Sequence, residues 1–154
     1  MSENYQIDKL DLAILEVLQR DARTSFLEIA RKLVVSGGTI HQRVDRMKEM
    51  GVIKGSHLEV DYSKLGYGVN VLLGVHLKSA KDATITIEKL EALKEVTEIY
   101  YTTGNYALII KVVTKDIDSF HQFLVKKLQS ISSISSTESF ICLSQPLGRK
   151  LRLA

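Results

Sequence analysis

The 154-residue chain has one cysteine, one proline and no tryptophan. A lone cysteine, Cys142, excludes an internal disulfide and suits a reducing compartment. No apolar run reaches the length of about 18 residues that a membrane span needs. The first residues, MSENYQIDKLD, lack the basic-then-apolar pattern of a secretory signal, so the chain is expected in the cytoplasm, off the membrane. Catalytic patterns are equally scarce. His41, His57, His76 and His121 are scattered without metal-binding spacing, and Cys142 lies in an apolar run with no evident base. Gly66-Tyr67-Gly68 is not followed by the spacing of a dinucleotide loop. No catalytic residue, metal or cofactor is therefore expected, and the chain is not expected to be an enzyme.

What is present is an ordinary globular composition, 45% hydrophobic and 25% charged, with a net charge of +3. The charge is unevenly placed. Residues 1–60 balance nine Lys/Arg against nine Asp/Glu. Within residues 31–54, however, Arg31, Lys32, Arg43, Arg46, Lys48 and Lys54 face only Asp45 and Glu49. A basic patch on a neutral unit fits a focused phosphate contact, and equally a solvated helix face.

Three helices are expected in the first third. Asp8 is a suitable N-cap for one with an apolar stripe of Leu10, Ala13, Ile14, Val17 and Leu18. Ser25 and Glu28 form a capping-box pattern ahead of Phe26, Ile29, Ala30 and Leu33. The third helix starts at Ser36, buries Ile40, Val44 and Met47, and stops at Gly51. Two helices joined by a tight turn form a helix-turn-helix, whose second helix can enter the DNA major groove. That helix should then present Ser36, Gly37, Gly38, Thr39, His41, Gln42, Arg43 and Arg46 to DNA. The glycines let backbone N–H groups approach a phosphate, while Gln and Arg suit base edges. Residues 52–60 read as a strand leaving this unit, making it winged; Lys54 and His57 read equally as DNA-backbone contacts or solvent-facing groups.

Beyond the turn-rich connector at 62–68 the period changes to two. Val69, Val71, Leu73, Val75 and Leu77 alternate as a strand. A helix over 83–94, strands over 97–103 and 106–114, a helix with Ile117, Phe120, Leu124, Leu128 and Ile131, and a strand over 137–143 follow. The order β-α-β-β-α-β is the ferredoxin-like arrangement, so the fold class is α+β, with domains at 1–61 and 69–154. Apolar residues on both strand faces, Leu72, Ile109 and Val113 among them, imply that the open sheet face is covered by a second copy, hence a homodimer.

Ile7-Asp8-Lys9-Leu10-Asp11, Ile14-Leu15, Asp21-Ala22-Arg23-Thr24, Ile29-Ala30, Val35-Ser36, Thr39, Arg43-Val44, Met50-Gly51-Val52-Ile53, Leu65-Gly66 and Thr102-Thr103-Gly104-Asn105-Tyr106 together resemble the Lrp/AsnC (feast/famine) regulators. The resemblance spans nearly the whole chain. The segments KSAKD and IYYTTGNYALIIKV are most similar to the AsnC branch, whose effector is L-asparagine. It implies a transcriptional regulator that binds double-stranded DNA, with dimers assembling into octamers and the amino acid held between subunits. One departure is Gly37, where many members carry proline.

The resemblance also implies effector contacts from Tyr101, Thr102, Thr103, Gly104, Asn105 and Tyr106, and from Ser136, Thr137 and Glu138 with Ser135 beside them. Their hydroxyls, amide and backbone groups suit a zwitterion. From the residues alone, the same segments read as a hairpin turn and a polar connector. The alternative function is an amino-acid sensor or assembly module without DNA binding; the polar and basic outward face of the third helix argues against it.

Overall fold

The computed structural model describes residues 5–153. The chain forms two compact units, one of residues up to Glu59 together with those from Leu147 onward, the other Val60–Pro146. The last residues thus group with the helical unit, whereas the sequence reading placed them with the sheet. Leu153 N–H donates to the Glu16 carboxylate at 3.0 Å, which holds that carboxyl below its ordinary range.

In the first unit α1 (Lys9–Arg20), α2 (Phe26–Leu33) and α3 (Gly37–Glu49) enclose Ile14, Ile29, Ala30, Ile40, Val44 and Met47. Asp8 caps α1 in a full capping box with Asp11. At α2 only half of the expected box forms: Ser25 accepts from Glu28 N–H, while the Glu28 carboxylate turns to Lys32 at 2.9 Å. Val34 ends α2 in the left-handed region, φ 56°, with 90% of its surface exposed. A β-branched residue is strained there, and the left-handed backbone turns the chain tightly into α3. Gly51, φ 73°, ends α3 where a left-handed residue is needed. Residues 52–60 form no strand. The wing expected there is absent because no second segment pairs with it, and a lone extended segment has no ladder to hold it.

Gly37 is the first residue of α3, and a Cβ built on it meets nothing within 4 Å. Ser36 is already extended, φ −75° and ψ 152°, as a residue preceding proline must be. Gly37→Ala or Gly37→Pro is therefore expected to stabilise this unit by about 0.5–1 kcal/mol, read as a melting point several degrees higher.

The second unit is β1 (Val69–Leu77), α4 (Ala83–Glu91), β2 (Val96–Tyr101), β3 (Leu108–Thr114), α5 (Ile117–Gln122) and β4 (Ile134–Ile141). Its antiparallel sheet has the order β2-β3-β1-β4, the ferredoxin-like topology expected from the sequence. Val71, Leu73 and Val75 of β1 and Leu108, Ile110 and Val112 of β3 pack against Leu90, Phe120, Phe123 and Leu128 of the helical layer. Each such side chain contributes about 1.5–3 kcal/mol on burial. Phe123–Leu128 continues α5 as a wider π-helical turn. Phe123, three residues after Phe120, is buried, and Leu124 packs partly buried against the same core.

Register places Leu72, Gly74 and His76 opposite Phe140, Glu138 and Ser136 on the other sheet face. That face carries exposed Leu72, Tyr100 and Phe140, and also the Glu98–Lys111 ion pair at 3.2 Å. It is therefore a mixed surface with apolar patches, less uniformly apolar than the sequence suggests.

Candidate nucleic-acid interface and ligand cleft

Ser36 caps α3 by accepting from Thr39 N–H at 3.1 Å, and the two hydroxyls lie 2.8 Å apart. This leaves the Gly37-Gly38 backbone clear of side chains at the start of the helix. Ser36, Gly38, His41, Gln42 and Arg46 are exposed; Gly37, Thr39 and Arg43 are half-buried. His41 is held on two sides, by Asp45 at 2.9 Å and edge-on by the Phe26 ring of α2. The Arg46 guanidinium lies 5.3 Å from the centre of the Tyr5 ring. Among the described residues Gln42 makes no side-chain hydrogen bond, so its amide is free on the surface.

Arg43 departs from the outward role expected of it. Its Nη1 donates to Asp8 at 2.7 Å and to Asp11 at 3.0 Å, with the Tyr5 hydroxyl at 3.4 Å. Asp11 is fully buried and also accepts from the Tyr5 hydroxyl. The Asp11 backbone N–H, and then Arg43, hold the Asp8 carboxyl below its ordinary range; the bond to Asp8 raises Arg43 further above its own. Burial and the bond to Asp11 push the Tyr5 hydroxyl upward. The helix periodicity puts Arg43 on the polar side of α3, but it cannot reveal that α1 offers a buried carboxylate there.

In the second unit, a cleft of about 320 Å³ is lined by His76, Leu77, Ala80, Tyr101, Thr102, Gly104, Asn105 and Ala107. Of the residues expected there, Tyr101, Thr102, Gly104 and Asn105 line it. Thr102 N–H donates to the Ala107 carbonyl at 3.0 Å, and the Thr102 hydroxyl donates to the Tyr106 carbonyl. Among the described residues the N–H groups of Thr103, Gly104, Asn105 and Tyr106 find no acceptor. Of these, Gly104 and Asn105 line the cleft, so their N–H groups are donors available to an anion there.

Tyr106 lies beneath the cleft rather than in its wall. Its ring rests on Gly74, where a Cβ would stand 2.6 Å from the ring. It also packs on His76 and Phe140, and its hydroxyl donates to Glu138. Glu138 is therefore engaged by Tyr106, and Ser136 and Thr137 do not line the cleft within one chain. His76, Leu77, Ala80 and Ala107 escaped the sequence reading. Ala80 lies within the KSAKD segment, which is one usable signal; His76 stood out only as one of four scattered histidines.

A helix-turn-helix with a polar, partly free recognition helix, joined in sequence to a ferredoxin-like unit with a small polar cleft, defines a DNA-binding transcriptional regulator with a ligand-binding module. The models of two domains match: the AsnC-type helix-turn-helix domain over residues 7–48 and the Lrp/AsnC ligand binding domain over 70–151. The chain is 48% identical to regulatory protein AsnC of Escherichia coli K12 over 150 residues, 97% of this chain and 99% of that protein. It is 47% identical to the AsnC of Haemophilus influenzae over 148 residues, 96% of this chain and 99% of that one. The solved structure of E. coli AsnC superposes with a TM-score of 0.92 at 47% identity, covering 96% of this chain and 99% of that one. A transcriptional regulator from Neisseria meningitidis, solved as its L-Met complex, shares the fold with a TM-score of 0.88 at 21% identity, covering 94% of each chain. The chain belongs to the Lrp/AsnC family.

Proposed function

We propose that this regulator responds to L-asparagine bound at the 101–107 cleft and reads DNA chiefly through Gln42, Arg46 and the backbone N–H groups at the start of α3. The observation that carries the effector reading is the polar cleft at the β2–β3 turn, where the free backbone N–H groups of Gly104 and Asn105 suit the carboxylate of a free amino acid. Similarity to AsnC over 97% of the chain supports asparagine, and the L-Met complex of the neisserial protein supports the amino-acid class. Of the other residues expected at the site, Tyr106 supports the turn from beneath and Thr103 is an exposed residue of the turn itself. Ser136, Thr137 and Glu138 join it from a second subunit.

The same reading makes the functional assembly a homodimer closed over the exposed Leu72, Tyr100 and Phe140, and by resemblance an octamer of four dimers. One helix-turn-helix unit on a chain of net charge +3 has too little charge for tight binding alone. Several units held in register read paired half-sites, and the effector alters their placement. The regulator acts without catalysis or cofactor, in the cytoplasm; no helix among the described residues is long and apolar enough to cross a membrane.

Footprinting on the protein's own promoter, with and without L-asparagine, tests both halves. Gln42→Ala is expected to cost about 1–3 kcal/mol and relax specificity at one base pair. Arg46→Ala is expected to weaken binding more uniformly, with a shallower salt dependence. Salt-insensitive binding without sequence preference would sink the regulator reading. An unchanged footprint and unchanged melting temperature across all twenty amino acids would sink the effector reading.

A further inference from the structure

We infer that His76 reads the effector's side chain and selects a neutral carboxamide over charged or purely apolar groups. This rests on the cleft being the effector site, and it names the residue that decides which amino acid the site accepts.

His76 stands near the end of β1, where the register with β4 shifts between His76 and Leu77. Its carbonyl accepts from the Ser135 hydroxyl at 3.1 Å, and its ring packs on Tyr106 with 4.9 Å between centroids. Tyr106 in turn rests on Gly74 and is tied to Glu138. The imidazole is thus fixed from the backbone side and from one ring face at the cleft wall.

The remaining lining narrows what the cleft can recognise. Leu77, Ala80 and Ala107 are apolar, and the Thr102 hydroxyl is occupied by the Tyr106 carbonyl. That leaves His76, Asn105 and the Tyr101 hydroxyl as side-chain hydrogen-bonding groups. Among the described residues of one chain, no Lys, Arg, Asp or Glu lines the cleft. A charged ligand side chain would enter without a counter-charge and lose its hydration. An apolar one would leave the imidazole and the Asn105 amide unpaired. A neutral imidazole offers one donor and one acceptor, matching the carbonyl and NH₂ of a carboxamide.

The test is calorimetric titration of the full-length protein, its His76→Leu variant and its His76→Gln variant with L-asparagine, L-aspartate and L-alanine. The wild type is expected to prefer asparagine by about tenfold or more. His76→Leu should raise the Kd for asparagine about tenfold, the equivalent of one neutral hydrogen bond. Alanine, which carries no amide, should shift less than about twofold in the same variant, which also shows that the cleft is intact. His76→Gln keeps a donor and an acceptor and should restore asparagine binding to within about threefold. Unchanged asparagine affinity in His76→Leu, equal losses for asparagine and alanine, or a wild type that prefers aspartate would each overturn the role of His76 while leaving the cleft an effector site. A wild type that binds no amino acid would overturn the effector reading itself, and this inference with it.

Discussion

Arg43→Ala is expected to destabilise the helix-turn-helix unit by about 3 kcal/mol, lowering its melting temperature by roughly 12 °C or more. The reason lies in what the guanidinium leaves behind. Asp11 has no exposed surface, and Arg43 is the cation beside it at 3.0 Å. Removing Arg43 strands a buried carboxylate, with only the Tyr5 hydroxyl and the Asp8 N–H to satisfy it. The lower end of the usual range for a broken buried pair applies, because Arg43 keeps a quarter of its side chain in solvent and Asp8 about half. A unit of about 60 residues has only a few kcal/mol to lose.

Hydrogen exchange separates this loss from an effect on DNA contact. Amides of α1 and α3 should lose protection in Arg43→Ala, whereas those of β1 and β3 should not. The Asp11→Ala, Arg43→Ala double variant should be less destabilised than the sum of the single changes, since the two groups form one network. A variant with native protection in α3 but lost DNA affinity would show the opposite, that Arg43 faces DNA as its place in the helix suggests.

The second large effect is expected at Gly74. Adding one methyl there puts a carbon 2.6 Å from the ring of Tyr106, and the atoms it meets are the body of the ring, not a mobile tip. The ring is confined by His76, Phe140 and its bond to Glu138, so it cannot yield by a small rotation. Gly74→Ala is therefore expected to cost about 1–3 kcal/mol in the sheet unit. It should also detach Tyr106 from Glu138 and release the 102–106 turn. Stabilisation by L-asparagine in a thermal-shift titration should fall at least tenfold in apparent affinity, while the helix-turn-helix unit keeps its fold. In a Tyr106→Ala background the same Gly74→Ala change should cost almost nothing, because the obstructing ring is gone. An additive cost in that background would mean that Gly74 matters for some other reason than seating Tyr106.

The helices and strands were legible because the rules that produce them are local. Asp8, Ser25 and Ser36 cap their helices through bonds spanning three residues. The alternation of Val71, Leu73 and Val75, and the spacing of Ile40, Val44 and Met47, directly identify buried faces. The failures are also physical. The strand expected at 52–60 has the right residues but no partner, and strand formation needs one. Phe123 was missed because positions three and four residues after Phe120 share one helix face, and both Phe123 and Leu124 reach the core.

The two functional regions divide along the same line. The exposed Gln42 and Arg46 follow from helix phase, and four of the cleft residues follow from the Tyr101–Tyr106 segment. The engagement of Arg43 with Asp8 and Asp11 joins residues 35 and 32 positions apart. The Tyr106–Glu138 bond spans 32 positions. His76 reaches the cleft because β1 passes beside the β2–β3 turn, where Ala107 N–H donates to the Val75 carbonyl.

By itself the sequence determined a helix-turn-helix, a βαββαβ sheet unit, their buried faces and the family they belong to, because propensity, capping and periodicity act within a turn or two of chain. Only the tertiary structure decided which polar groups are already occupied and which remain free for a ligand. A hydrogen bond needs its partner within about 3 Å, and that distance is set by how separate segments pack.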